Sequence, residues 1–209
     1  MSSLTTDVGS QLVLASGSPR RRELLLGLGL KVHVRAADVD ETPYAGEAPS
    51  DLVERLARSK ADAVHGQLRE EAAGFQLPVL GADTIVVLGG EVLGKPRDRA
   101  EALCMLDRLS GSTHEVLTGV ALVHETVQVV VSRSRVRFRA IEAPEAEAYW
   151  ATGEPCDKAG AYGIQGIGGI FVASLEGSYS GVMGLPVAET EALLRAAGVD
   201  VWRHRVPPR

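Results

Sequence analysis

The sequence predicts an α/β protein on three observations. Short apolar runs of strand length alternate along the chain with stretches of helical period. The run Leu77 to Gly90, LPVLGADTIVVLGG, is apolar on both faces in strand register. Val79, Gly81, Asp83, Ile85 and Val87 fall on one side and Leu80, Ala82, Thr84 and Val86 on the other, as in a strand covered on both faces. Finally, 209 residues with 45% hydrophobic content can bury a substantial core and suit one domain with room for two lobes around a cleft.

The elements follow in order. Gln11 to Ala15 reads as a short strand running into Ser16-Gly17-Ser18, with Ser18 as N-cap and Pro19 as first residue of a helix that carries Leu24, Leu25 and Leu28 and stops at Gly29. A strand near Val32 to Arg35 precedes a polar loop, DVDETPYAGEAP, and Ser50 is expected to cap a long helix with Val53, Leu56, Lys60 and Val64 on one stripe. The two-faced strand then turns at Gly89-Gly90 and returns through Glu91 to Leu93 as a hairpin.

Asp98, with Glu101 three places on, starts the next helix, through Leu103, Leu106 and Leu109. Strands are expected near Val116 to Val123 and Val127 to Phe138, then a short helix from Pro144 to Thr152 ending at Gly153. Between Gly153 and Gly184 glycine occurs nine times, interleaved with Ile164, Ile167, Ile170, Phe171, Val172 and Leu175, which marks tight turns or close backbone approach rather than a linker. A helix from Val187 to Ala197 and a short strand near Val199 to Trp202 close the pattern, with flexible tails expected at residues 1–10 and 204–209 and a single domain over 11–203.

A formal net charge of -5 argues against a general nucleic-acid-binding surface. Cys104 and Cys156 form no disulfide framework, and the N-terminal MSSLTTDVGS lacks the basic start and apolar middle of a signal peptide, so a cytoplasmic protein without a membrane segment is expected. The histidines show neither H-E-x-x-H nor zinc spacing, and there is no G-x-S-x-G elbow. Gly89 to Lys95 imitates a P-loop, but Pro96 stands where a hydroxyl must hold magnesium.

What remains is chemistry for phosphate. Ser16 to Arg22 (SGSPRRR) gathers hydroxyls, guanidinium groups and a helix N-terminus, where arginine works against the macrodipole unless an anion binds there. Lys60 draws its stem onto an apolar stripe and either snorkels its ammonium to the helix edge or reaches a negative partner, and Lys95 is a second basic group. Asp83 interrupts a buried strand and needs compensation, while Glu41 and Asp157, next to Lys158, are further acidic candidates suited to magnesium or manganese. Arg133, Arg135, Arg137 and Arg139 alternate along one strand; a solvated face explains them, with RNA contact as a rival.

The motifs LASGSPRRRELL, ETP, GADTIVVL, GKP, LSGSTHEVLTGV, DKAGAYGIQGIGGIFV and GSYSGVMGLP, in this order across nearly the whole chain, resemble the Maf family of nucleoside triphosphate pyrophosphatases. The resemblance implies a long mixed central sheet flanked by helices, two lobes around a cleft, like the inosine triphosphatases, and a homodimer. YGIQG resembles the branch hydrolysing dTTP and UTP. Carried over by position, Asp83 is the catalytic acidic residue, Arg20, Thr84 and Gln165 are specificity positions, and Ser16, Glu41, Lys60 and Lys95 match cleft positions. Arg21 is grouped with the substrate-binding residues, Glu41 with Asp83 as metal ligands for Mg2+ or Mn2+, and Arg22, Asp157 and Lys158 are left without a role. A regulator of cell division and septum formation that senses nucleotides without turning them over is the alternative that the family's link to septum formation suggests.

Overall fold

A computed structural model describes residues 9–202; most of the expected N-terminal tail and the whole of the C-terminal one lie outside the described residues. The strands β1 (Leu12–Leu14), β2 (Val32–Val34), β3 (Val79–Leu88), β4 (Glu91–Leu93), β5 (Thr113–Val123), β6 (Val127–Phe138) and β7 (Val172–Glu176) form a mixed seven-stranded sheet. Its order is β2-β1-β3-β5-β6-β7, with β4 paired to β3. β1 is parallel to β2 and β3, while the β3/β4 and β6/β7 pairs are antiparallel. The helices are α1 (Pro19–Gly27), α2 (Pro49–Glu71), α3 (Arg99–Leu109), α4 (Ala143–Ala151), α5 (Tyr179–Met183) and α6 (Val187–Ala196). The α/β class and the mixed sheet are as predicted.

The chain divides into two compact units, one made of residues up to Asp83 with Gly119–Val131 and the segment from Gly184, the other of Thr84–Thr118 and Ser132–Met183. In the first unit the strand residues bury on both faces, as the pattern required. Val13, Ala15, Val79, Ala121 and Val123 pack with Ala57, Ala61, Val64 and Leu68 of α2. Leu12, Leu14, Leu80, Ala82, Val120 and Leu122 pack with Leu25 of α1 and Leu193 and Leu194 of α6 on the opposite face.

Glycine sets the distance of α2 from the sheet. A Cβ on Gly81 would lie 2.3 Å from the Ala57 carbonyl oxygen, and one on Gly119 2.3 Å from the Val53 carbonyl oxygen. Val53, Ala57 and Ala61 recur every fourth residue on one face of the helix, so α2 lies backbone-close to β3 and β5 over two turns. Asp83, two residues beyond Gly81, faces the same way as Gly81. Lys60 is thereby carried to it.

In the second unit the core gathers Val86, Leu106, Leu109, Phe138, Tyr149, Tyr162 and Phe171. His114 is buried there, its Nε2 paired with the Tyr162 hydroxyl at 2.8 Å and its ring edge-on to Phe138 and Tyr162. The Gly-rich segment is three 3-10 turns, Glu154–Asp157, Ala159–Ala161 and Ile167–Phe171, followed by β7.

Three local expectations are corrected. α2 begins two residues early, with Ala48 as N-cap and Pro49 in the first turn, because proline's missing N–H and preset φ suit that position better than Ser50's hydroxyl. Val199 to Trp202 is not a strand; it ends in a turn. β7 is an added strand, paired through Val136↔Leu175 and Arg137↔Ser174, that the glycine-rich surroundings concealed. By contrast, Asp98 caps α3 as expected, accepting from the Glu101 N–H at 2.9 Å, and Leu88↔Glu91 closes the hairpin over Gly89-Gly90.

Candidate active site

In the first unit, Asp83 is buried and its Oδ1 accepts from Lys60 Nζ at 2.7 Å. The same ammonium meets Glu41 Oε1 at 2.5 Å, so one cation from α2 gathers two carboxylates, one from the sheet and one from the polar loop. The three differ in exposure: Lys60 and Asp83 side chains are about a tenth exposed and Glu41 about half. The loop carrying Glu41 is pinned to α2 by Arg55, which donates to both Glu47 oxygens at 2.6 and 2.7 Å and to the Thr42 carbonyl at 3.1 Å, and lies over the Tyr44 ring. Those bonds hold the Glu47 carboxyl down at about 2.

The SGSPRRR turn supplies the positive side of the same unit. Pro19 opens α1 behind Ser18, but Ser18 makes no side-chain cap; its N–H donates instead to Ser16 Oγ at 3.2 Å. Arg21 Nη1 donates to the same oxygen at 3.0 Å, and Arg21 Nε to the Gly184 carbonyl at 2.8 Å. Both bonds use lone pairs of the buried Ser16 hydroxyl, leaving its proton as the group it can offer an anion. Burial draws the Arg21 guanidinium below its ordinary value, the Asp83 carboxylate opposes that shift, Arg20 adds to it and Glu41 opposes it. Arg21 therefore feels both carboxylates electrostatically. Arg20, half-buried, is its neighbour in the first turn of α1.

In the second unit, Thr84 Oγ1 lies 3.0 Å from Thr118 Oγ1, and Thr118 donates to the Gly181 carbonyl at 2.8 Å. A carbonyl can only accept, so the Thr118 proton is committed and Thr84 must be the donor in their bond. Thr84 then meets any further donor as an acceptor. Nothing in the sequence singled out Thr118; only its fully buried hydroxyl does. Lys95 is exposed in the loop after β4, whose Gly94 carbonyl accepts from the Gly160 N–H at 3.0 Å. Gln165 is exposed at the corner of a turn closed by Gly166 N–H to Gly163 carbonyl at 3.2 Å.

Other candidates have partners close by. Lys158 Nζ meets Asp157 Oδ1 at 2.6 Å and the Glu154 carbonyl at 2.7 Å, a local tie. Arg133, Arg135 and Arg137 are exposed while Ser132, Ser134, Val136 and Phe138 are buried. Arg133 and Arg135 pair with Glu115, and Arg135 with Glu176, while Arg137 donates to the Ser174 hydroxyl at 3.3 Å. Cys104 and Cys156 are both free and exposed. Among the described residues no helix is long and apolar enough to cross a membrane.

Residues 11–197 match the Maf family, described as Maf-like protein. A Hahella chejuensis protein named dTTP/UTP pyrophosphatase is 55% identical over 195 residues, covering 92% of this chain and 94% of its own. Its namesake from Myxococcus xanthus is 56% identical over 193 residues, covering 92% and 95%, and that from Saccharophagus degradans 50% over 202 residues, covering 96% and 95%. A solved structure of a nucleoside-triphosphatase, dITP/XTP pyrophosphatase, from Mycobacterium abscessus covers 88% of this chain and 93% of that one at 15% identity and a TM-score of 0.43, a likeness too slight to build on. By motif order, by the span of the match and by identity along nearly its full length, the chain belongs to the Maf family.

Proposed function

We propose that this protein is a nucleoside triphosphate pyrophosphatase that hydrolyses dTTP and UTP to the monophosphate and pyrophosphate. The observation that carries the reading is Asp83, a buried strand carboxylate held by Lys60 next to the electrostatic reach of Arg21. Relatives at 50% identity or more over nearly the whole chain, each named dTTP/UTP pyrophosphatase, support the substrate class.

Lys60 occupies Asp83 Oδ1, so Oδ2 is the oxygen that takes a proton from water as that water attacks the α-phosphorus. The α–β anhydride bond breaks, pyrophosphate leaves and the monophosphate keeps the water oxygen. Ser16, Arg20, Arg21, Lys60 and Lys95 bind and neutralise phosphate oxygens, the main electrostatic task in such a transfer. Gln165 and Thr84 read the base.

Glu41 and Asp83 supply oxygen donors of the kind a hard divalent cation takes, and Lys60 brings the two carboxylates together. Among the described residues no group of three or more His, Cys, Asp or Glu could hold a metal; Mg2+ or Mn2+ would be held here by one or two carboxylates together with the substrate's phosphates. Bound with the nucleotide, the ion would neutralise polyphosphate charge. A homodimer is inferred from the family resemblance, and a cytoplasmic setting accords with the two free thiols.

The test is a panel of nucleoside triphosphates, with and without Mg2+ or Mn2+, assayed for pyrophosphate release. UTP and dTTP should lead. Release of orthophosphate alone, or no turnover with any member, would contradict the reading.

A further inference from the structure

We infer that Glu154 and Tyr149 are positioning residues that hold the Gln165 turn in one orientation and thereby give it discrimination between uracil or thymine and cytosine. The inference rests on Gln165 reading the base. Glu154 Oε1 accepts from the Tyr149 hydroxyl at 2.7 Å and from the Gly168 N–H at 3.0 Å, and Oε2 accepts from the Ile167 N–H at 2.9 Å. The Tyr149 hydroxyl in turn accepts from the Gly163 N–H at 3.0 Å. The backbone is gripped on both sides of Gln165.

The grip is built into the packing. Tyr149 is buried with its ring edge-on to Phe171, and Lys158 Nζ anchors the Glu154 carbonyl at 2.7 Å. A Cβ at position 166 would fall 2.2 Å from Glu154 Oε2, and one at 168 would fall 2.5 Å from the Tyr149 hydroxyl. The glycines flanking Gln165 are the room the two side chains need to reach the backbone. Burial pushes the Glu154 carboxyl up, but the bonds from Gly168, Tyr149 and Ile167, with the Lys158 ammonium, outweigh it, so Glu154 sits below its usual range and accepts as an anion.

Orientation matters because of what an amide can do. Uracil and thymine offer an O4 acceptor beside an N3–H donor, matched by the Gln NH2 and C=O; cytosine offers the reverse, which a loosely held amide meets by flipping. A clamped turn is what allows one orientation to prevail. Binding of the polyphosphate does not need it.

The experiment measures kcat and KM for UTP, dTTP and CTP in wild type, Tyr149→Phe, Glu154→Gln, Gln165→Ala and the Tyr149→Phe/Gln165→Ala double variant. Tyr149→Phe keeps the ring and removes the link between Glu154 and Gly163; Glu154→Gln keeps shape and turns one acceptor into a donor facing an N–H. Each single clamp variant should lower the UTP-to-CTP ratio of kcat/KM by about tenfold, mostly through KM, the scale of one good base contact. In the Gln165→Ala background Tyr149→Phe should change that ratio no further. If Gln165→Ala shifts the ratio and neither clamp variant does, the positioning role is overturned alone. If Gln165→Ala leaves it unchanged, the base-reading role fails and the clamp's role with it.

Discussion

Lys60 Nζ lies 2.7 Å from Asp83 Oδ1 and 2.5 Å from Glu41 Oε1, so a single ammonium compensates one buried and one half-exposed carboxylate. The pairing is asymmetric. Removing Asp83 leaves Lys60 its Glu41 partner, whereas removing Lys60 strands Asp83 in a buried strand. Lys60→Met should therefore destabilise by roughly 3 kcal/mol, the scale for an uncompensated buried charge, and clearly more than Asp83→Asn. In the Lys60→Met/Asp83→Asn double variant part of that loss should return. Urea unfolding of all three checks this, and equal losses in the two single variants would show that Asp83 does not depend on Lys60.

The position of α2 depends on bare backbone at Gly81. A methyl there would meet the Ala57 carbonyl oxygen at 2.3 Å and the Ala61 nitrogen at 2.7 Å, neither of which can rotate away. Gly81→Ala should cost on the order of 3 kcal/mol, the upper range for overpacking, and should lower activity by shifting Lys60. Gly66→Ala, on the same helix with nothing near its would-be Cβ, is the control and should be neutral or slightly stabilising. The midpoints of thermal unfolding distinguish the two.

His114 gives the fold an acid dependence. Burial lowers its pKa from 6.5 to about 4. A depressed histidine means the unfolded chain binds the proton more readily, so stability is complete above about pH 6.5 and declines as pH falls toward 4. The decline attributable to this one group is about 3 kcal/mol. His114→Phe, which keeps an edge-on ring beside Phe138, should flatten the stability profile across that window. A profile of unchanged slope would mean other groups carry it.

Arg20→Ala and Lys95→Ala should each reduce kcat/KM for UTP and dTTP by a similar factor, since both charges are assigned to phosphate. Competition assays with UTP and dTTP read this directly. A change in base preference with an unchanged rate on the preferred substrate would reassign whichever residue showed it.

Much of this was legible because burial leaves a period. The two-faced apolar run identified β3 as covered on both sides, and the odd polar residue within it was Asp83. The stripe Val53, Leu56, Lys60, Val64 gave the buried face of α2, though not its partner carboxylates, which come together from positions 19 and 23 residues away. What stayed hidden lacks a period. Thr118 reads as one more strand residue until its hydroxyl is seen to be committed to the Gly181 carbonyl. Glu154 reads as a loop carboxylate until three donors are found on it. Ser50 was a sound cap by residue type and lost to Pro49, a competition that residue preferences alone do not decide.

Asp83→Asn removes the proposed base. The substitution keeps the shape of the side chain and leaves Lys60 paired with Glu41, so the fold and nucleotide affinity should be retained while the proton acceptor is lost. Single-turnover release of pyrophosphate from UTP, measured beside UTP binding for wild type and variant, is the direct test. The rate should fall by at least about a hundredfold, the lower range for losing a general base, at nearly unchanged affinity. A variant that releases pyrophosphate within two- or threefold of the wild-type rate would contradict the assignment of Asp83 as the base.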